Sequence, residues 1–462
     1  MEVRLSNLSL CRIGLWLALC LAMLATVLPT LGSSGASEVV TNSETTQQPL
    51  QDQTQNWNWH VQNTAIVQGY PGFSAKYSGP NSLGPGGQVR ETVSLDLMAG
   101  ARLWRGAEAH VDGMMWQGFG LSRTLGVEAF PNGEGFRLGT SVPNVTFSRL
   151  FIRQTIGLGG EQESVEDGQL QLAGKQDVSR ITLTVGKVNV KDIFDNNAYA
   201  NDPRTQFMNW GFMANEAWDY PADSLGYMTG LAAELNQPKW AFRYGFFQMP
   251  RTSNGMAQDP HYLDAWGMVF EFERRYTVND HPGTVRALAF LNQANMGSYE
   301  AAVENPARPA DIIATRAYRQ KYGFGLNIEQ EIIANIGVFT RLGWSDGATE
   351  AWAFSDVDRT AAAGVSIKGE FWHRPNDTFG LANAVNGITT VHQEFLAAGG
   401  TGILAGDGAL NYGLEDAVET YYDFQIWKTL HGALDYQFVV NPAFNKDRGP
   451  VSVFGARLHW EF

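Results

Sequence analysis

The sequence predicts an all-β fold: a transmembrane antiparallel β-barrel of about sixteen strands, with one long loop folded into its lumen. Three observations lead there. First, apolar and polar residues alternate in segment after segment. The last residues show it plainly, with Phe454, Ala456, Leu458, Trp460 and Phe462 on one face and Val453, Gly455, Arg457, His459 and Glu461 on the other. Second, the chain of 462 residues is 12% aromatic and 17% charged, with 50 glycines, and its mean hydropathy is −0.21. Beyond the N-terminal segment no run reaches the ~18 apolar residues that a spanning helix needs. A barrel that alternates a lipid face with a polar lumen face keeps hydropathy near neutral. Third, the connections between the alternating segments are long and short in turn.

The N-terminus reads as a secretory signal. Arg4 and Arg12 precede an apolar run over 13–28, and Ser34 and Ala36 stand in the small-x-small places, so cleavage is expected after Ala36. Cys20 is a poor lipoprotein site, because the large Leu19 precedes it. Both cysteines, Cys11 and Cys20, leave with residues 1–36, so the remaining chain has no disulfide and no cysteine ligand for a metal. The segment carries Glu2, Arg4 and Arg12, a net +1, so its loss takes the charge from −14 to −15. That acidity argues against a nucleic-acid partner. Residues 37–56 are polar and aperiodic and read as a flexible periplasmic arm; the barrel is expected over 57–462.

The expected strands, in order, are 57–68, 92–104, 107–116, 145–156, 180–188, 225–235, 239–249, 263–275, 284–295, 322–330, 335–344, 360–371, 376–387, 417–426, 430–440 and 451–462. Parity assigns their faces. Val93, Leu95, Leu97, Ala99, Ala101 and Leu103 face lipid, and Ser94, Asp96 and Arg102 face the lumen. Glu108, His110 and Asp112 point inward, as do Arg149 and Arg153, while Leu150, Ile152 and Ile156 point out. Trp240, Phe242, Tyr244 and Phe246 share a lipid face. So do Tyr422, Phe424 and Ile426, and Leu434, Tyr436 and Phe438, opposite Glu419, Asp423, Gln425, Asp435 and Gln437. A terminal strand ending in Phe462 resembles the closing strand of bacterial outer-membrane barrels, in which closure leaves no unpaired edge.

With the N-terminus periplasmic, the extracellular connections are 69–91, 117–144, 189–224, 250–262, 296–321, 345–359, 388–416 and 441–450, all long. The periplasmic ones are short except 157–179. The stretch 189–224 stands apart. It is amide-rich and carries Phe194, Phe207, Trp210, Phe212 and Trp218, which a solvent-facing loop has no use for; the lumen is where they can pack.

Several stretches carry a specific resemblance. Val185-Gly186-Lys187 leads to Asp192-Ile193-Phe194-Asp195-Asn196-Asn197. Then follow Ala200-Asn201-Asp202-Pro203-Arg204-Thr205-Gln206-Phe207 and Trp218-Asp219-Tyr220-Pro221-Ala222-Asp223. Near the C-terminus stand Glu419-Thr420-Tyr421-Tyr422, Asn441-Pro442, Asp447-Arg448-Gly449-Pro450 and Arg457-Leu458-His459. From about residue 57 to 462 the chain resembles the carbohydrate-selective porin family (OprB type). The resemblance implies a sixteen-stranded barrel in the outer membrane of a Gram-negative bacterium that passes sugars by diffusion, narrowed by an inward loop. It also implies recognition of Phe462 by the barrel-assembly machinery, and it leaves monomer and homotrimer open.

A sugar channel needs hydrogen-bonding groups and aromatic faces around the solute, bound weakly enough to let it leave. The parity-derived candidates are Arg102, Glu108, His110, Asp112, Arg149 and Arg153. The loop motif adds Asp195, Asn196, Asn197, Arg204 and Trp210. The plainer reading is that these charges only solvate the lumen wall. The arginines are expected beside the loop, opposite Glu108, Asp112, Asp195 and Asp202, giving a transverse field. Nothing points to an enzyme, since no Ser, His and acid cluster sits on neighbouring strand tops. His110/Asp112 and His392/Glu394 lack a third ligand for a metal, Gly84-Pro85-Gly86-Gly87 precedes no helix, and no cofactor is expected. The rival function is a general or anion-selective diffusion porin.

Overall fold

In the computed structural model, which describes residues 54–462, sixteen strands close into one antiparallel barrel. The signal segment and most of the polar arm expected before residue 57 lie outside the described residues. The strands begin with β1 (Trp57–Tyr70), β2 (Gln88–Trp104), β3 (Ala107–Gly118) and β4 (Thr140–Gly157). A small hairpin, β5 (Gln162–Val165) and β6 (Gly174–Asp177), stands apart from the barrel sheet. The barrel resumes with β7 (Arg180–Val188), β8 (Met228–Gln237), β9 (Trp240–Gln248), β10 (Trp266–Val278), β11 (His281–Met296) and β12 (Ala317–Ile333). It ends with β13 (Ile336–Ser345), β14 (Arg359–Lys368), β15 (Thr378–Gly387), β16 (Glu415–Trp427), β17 (Leu430–Val440) and β18 (Val451–Glu461). Three short helices decorate the connections: α1 (Trp210–Met213), α2 (Tyr299–Glu304) and α3 (Thr390–Ala397).

Each strand pairs with its sequence neighbours, and β7 pairs with β4 across the small hairpin. Closure comes from β1 against β18, with Gln62 opposite Glu461 and Gly69 opposite Phe454. Val61 and Phe462 exchange two backbone hydrogen bonds of 3.0 and 2.9 Å, and Phe462 lies 5.3 Å from the Trp59 ring. Among the described residues, closure leaves no unpaired edge in the barrel sheet.

The period-two pattern dictates what faces where. On β18 Phe454, Leu458 and Trp460, and Phe462 just after it, are exposed on the outer wall, while Arg457 and His459 are buried inside. On β2 Leu97 is exposed and Asp96 fully buried. Trp57, Trp59, Trp104, Trp427 and Phe462 ring the end where β1 begins and β18 ends, and Tyr318, Tyr322 and Trp344 lie toward the other, as lipid-interface aromatics do. The first of these ends has short turns apart from the 158–179 connection. Asn279 and Asp280 both take positive φ (50° and 66°), which suits a two-residue hairpin turn. The opposite end carries the long loops 71–87, 119–139, 189–227, 249–265, 297–316, 346–358, 388–414 and 441–450. Short turns mark the periplasmic side and long loops the extracellular one.

Candidate functional site

The loop 189–227 folds into the lumen and is docked there by wall side chains. Phe207 packs edge-on to Tyr421 at 4.9 Å and against Phe339 at 5.6 Å, both inward residues of β16 and β13. Phe194 meets Phe247 of β9 at 6.3 Å and Trp218 at 6.4 Å. The loop has little regular structure, so its backbone groups need other partners. Glu271 of β10 accepts the Asp195 N–H (2.7 Å), and Glu329 of β12 accepts that of Ala198 (2.7 Å). Glu419 of β16 takes the N–H groups of Met208 and Asn209 (2.7 and 2.9 Å). Arg457 of β18 donates to the carbonyls of Pro203 and Gln206 (2.8 and 2.7 Å). Arg341 of β13, fully buried, pairs with Asp195 at 3.0 Å and donates to the carbonyls of Asp195, Ala200 and Phe212.

Two further segments meet this loop. From outside comes 119–139, where Phe130 packs on Trp210 at 5.6 Å, Asn132 accepts the Trp210 indole N–H at 3.0 Å, and Glu134 pairs with Arg204 at 2.9 Å. From the periplasmic end comes the connection 158–179. Its tip reaches into the barrel: Asn58 donates to Asp167, Gly168 and Gln171, Gln169 donates to Gln62 at 3.0 Å, and Arg153 donates to the Leu170 carbonyl at 3.0 Å. The exceptional length of this periplasmic connection is thus a second inward element.

Between the three segments lies a cavity of about 250 Å³. Its lining includes Trp210, Tyr220 and Tyr227, the carboxylates of Glu134, Asp192 and Asp202, and the cations Arg137, Arg149, Lys191 and Arg204. Arg149 grips Asp192 with two bonds (2.6 and 2.9 Å), bonds Asp112 at 2.9 Å and lies over the Tyr227 ring at 5.1 Å. Arg204 pairs with Glu134 and, at 3.1 Å, with Asp96.

Of the eleven residues expected at the site, Arg149, Arg204 and Trp210 border this cavity. Arg102, Glu108, His110 and Arg153 lie on the lumen side of the wall nearer the periplasmic end. Arg102 is 3.5 Å from Glu108 and donates to the Gln55 carbonyl, and His110 lies 3.2 Å from Glu108 and stacks on Phe151 at 5.2 Å. Thus Arg102 and Arg153 face the periplasmic segment, not the inward loop, because the long 158–179 connection occupies the space the loop was expected to fill. Asp112 backs Arg149. Asp195, Asn196 and Asn197 tie the loop to β12 rather than line the cavity: the Asn327 amide donates to the Asp195 carboxylate (2.7 Å) and the Asn196 carbonyl (3.1 Å), and the Asn197 amide donates to Asn327 (2.8 Å). The expected transverse field is replaced by contact pairs: Arg149 holds Asp112 on its own wall, and Asp195 is taken by Arg341. His392 pairs with Asp358 at 3.1 Å and stacks on Tyr299 at 4.1 Å, so it joins α3 to α2.

The rim is stitched by buried acids. Asp219 accepts the N–H groups of Trp352, Ala353 and Phe354, and Glu128 accepts that of Asp356 at 2.9 Å. Burial, then repulsion from Asp356 and Glu415, pushes the Glu128 carboxyl well above its usual range. Burial, then Glu415, pushes Glu216 up to about 8 while Asn386 donates to it. Glu216 is thereby held largely neutral at pH 7.

The model of the carbohydrate-selective porin, OprB family, matches residues 80–462. The chain belongs to this family. Comparison with curated sequences returns no match. Among solved structures, Pseudomonas putida OprB at high pH is similar with a TM-score of 0.67 and 17% identity, over 88% of this chain and 94% of that one. The low-pH form of the same protein has a TM-score of 0.48 and 14% identity, over 88% and 93%. The outer-membrane channel DcaP of Acinetobacter baumannii has a TM-score of 0.44 and 7% identity, over 88% and 97%. This OprB-family porin is a Gram-negative outer-membrane channel for carbohydrates rather than an enzyme. Reading the sequence missed Glu134, Arg137, Lys191, Asp192, Gln169 and Tyr227 at the cavity. Lys191 and Asp192 stand three or four residues before the chosen Asp195, and only the aperiodic length of 157–179 hinted at Gln169.

Proposed function

We propose that this porin passes mono- and small oligosaccharides such as glucose by passive diffusion through the cavity between its two inward loops and the periplasmic hairpin. The observation that carries this is the lining, in which the aromatics Trp210, Tyr220 and Tyr227 stand beside the pairs Arg149–Asp192 and Arg204–Glu134. A sugar presents C–H faces that lie on aromatic rings and hydroxyls that both donate and accept. At these two pairs the charges offer those hydroxyls hydrogen bonds without leaving either ion unsatisfied, so neutral-sugar binding there stays weak and release fast. In this reading Arg149, Arg204 and Trp210 meet the solute, with Asp112 fixing Arg149. Arg102, Glu108, His110 and Arg153 line the way to the periplasm. Asp195, Asn196 and Asn197 hold the loop.

The outer wall meets outer-membrane lipid, and Phe462 serves the barrel-assembly machinery during insertion. The test is single-channel conductance in a planar bilayer with glucose and maltose titrated in. Conductance is expected to fall saturably with sugar. A fall that only follows the viscosity of the solution refutes the reading.

A further inference from the structure

The cations around the cavity are not equivalent. Arg149 and Arg204 are each held by two carboxylates. Arg137 and Lys191 are not held by any. Among the described residues Arg137 makes no hydrogen bond or ion pair, although it lines the cavity and burial lowers the pKa of its guanidinium. Lys191 is buried, and among the described residues its ammonium makes a single hydrogen bond, to the Asn201 carbonyl at 3.3 Å. The charged groups around Lys191 are Asp192, Asp195, Asp202 and Arg341. Each of those carboxylates is engaged elsewhere: Asp192 by Arg149, Asp195 by Arg341 and Asn327, and Asp202 by the Arg204 N–H at 2.9 Å. An ammonium has three donors and a guanidinium five, so the cavity holds a surplus of charged donors with no acceptor assigned to them. Free donors near an unspent positive charge are complementary to a carboxylate.

We infer that the cavity takes acidic monosaccharides, aldonates and uronates, with the sugar carboxylate held by Arg137 and Lys191 and the ring by the aromatic lining. This deepens the sugar-channel reading and rests on it. Burial, then repulsion from Arg341, lowers Lys191 to about 8. Its charge is therefore present at pH 7 and largely gone at pH 9.

The test uses the full-length protein in planar bilayers with glucose, glucuronate and acetate as blockers at equal ionic strength. Glucuronate is expected to block more tightly than glucose by about tenfold or more, the effect of one charge-assisted hydrogen bond. The preference should fall in Lys191→Met and Arg137→Gln, survive in Lys191→Arg, and weaken between pH 7 and 9 in the parent but not in Lys191→Arg. Heat-modifiable migration of each variant checks that its barrel is folded. Equal block by the two sugars, equal block by acetate and glucuronate, or an undiminished preference in both charge-removing variants overturns the inference and leaves neutral-sugar passage standing. Absence of block by either sugar overturns the sugar-channel reading as well.

Discussion

Arg341→Met should undock the inward loop without unfolding the barrel. Arg341 projects from β13 into the lumen, is fully buried, and is the largest single anchor of the loop, with an ion pair to Asp195 and hydrogen bonds to three loop carbonyls. Methionine fills similar space but leaves the Asp195 carboxylate without its counter-charge. Removing one member of a buried pair costs about 3–5 kcal/mol. The carbonyls add to this, but lumen water can reach them once the loop shifts, so we take about 4 kcal/mol for the whole change. That moves the docked-to-undocked ratio roughly a thousandfold. The remaining anchors, Glu419, Arg457 and the Phe207 contacts, keep part of the loop in place, so the expected outcome is higher mean conductance with added open-channel noise and weaker sugar block. Adding Asp195→Asn should restore part of the parent behaviour, because it removes the stranded charge. Conductance is measured in planar bilayers and folding by heat-modifiable migration. A folded Arg341→Met channel with the parent's conductance, noise and sugar block would refute the assignment of Arg341 as the loop's anchor.

Three further outcomes are expected. Replacing 158–179 by a two-residue turn should raise conductance and relax sugar block, since it withdraws Gln169 and Leu170 from the cavity lining; unchanged conductance would place the narrowest part elsewhere. Deleting Phe462 removes two backbone bonds at the β1–β18 seam and the contact with Trp59, so the amount of heat-modifiable protein in outer membranes should drop; normal levels would argue against the terminal residue's role. Glu216 is neutral in the folded loop with a pKa of about 8, against 4.5 ordinarily. The stability this gives is complete below pH 4.5 and is lost as pH rises through about 8. Glu216→Gln should therefore flatten the decline in melting temperature between pH 5 and 9, and equal slopes for parent and variant would contradict the assignment.

The barrel was legible because lipid and lumen impose opposite chemistry on alternate residues. Parity alone faced Leu97 outward and Asp96 inward, and did the same for Leu150 and Arg149. Strand ends were less legible. β4 starts at Thr140, before the expected 145, through Val142 and Pro143, where the alternation breaks and the register shifts against β3. β12 starts at Ala317 rather than 322, across the polar Arg319-Gln320-Lys321. The inward course of 189–227 followed from its stranded aromatics. Its partners could not, because parity gives the face of a wall residue and not its depth. Asp195 and Arg341 are 146 positions apart, and nothing local marks either for the other. The periplasmic hairpin was the harder case, with no period and no aromatics to reveal that it turns inward.

The loop's poverty in regular structure has a physical reason that bears on transport. A segment inside a barrel must satisfy its backbone groups, and this one does so with the wall's carboxylates and arginines instead of a ladder of its own. Glu271, Glu329 and Glu419 accept its N–H groups, while Arg341 and Arg457 donate to its carbonyls, from strands spread between β10 and β18. To swing such a loop away would strand buried charges on several strands at once, each at a cost of kcal/mol. On the proposed function, a constriction fixed in this way would filter by shape and by the hydrogen bonds it offers. Passive diffusion asks for that arrangement: a solute that can exchange hydroxyl for hydroxyl along paired charges passes, and one that cannot meets a wall that does not yield.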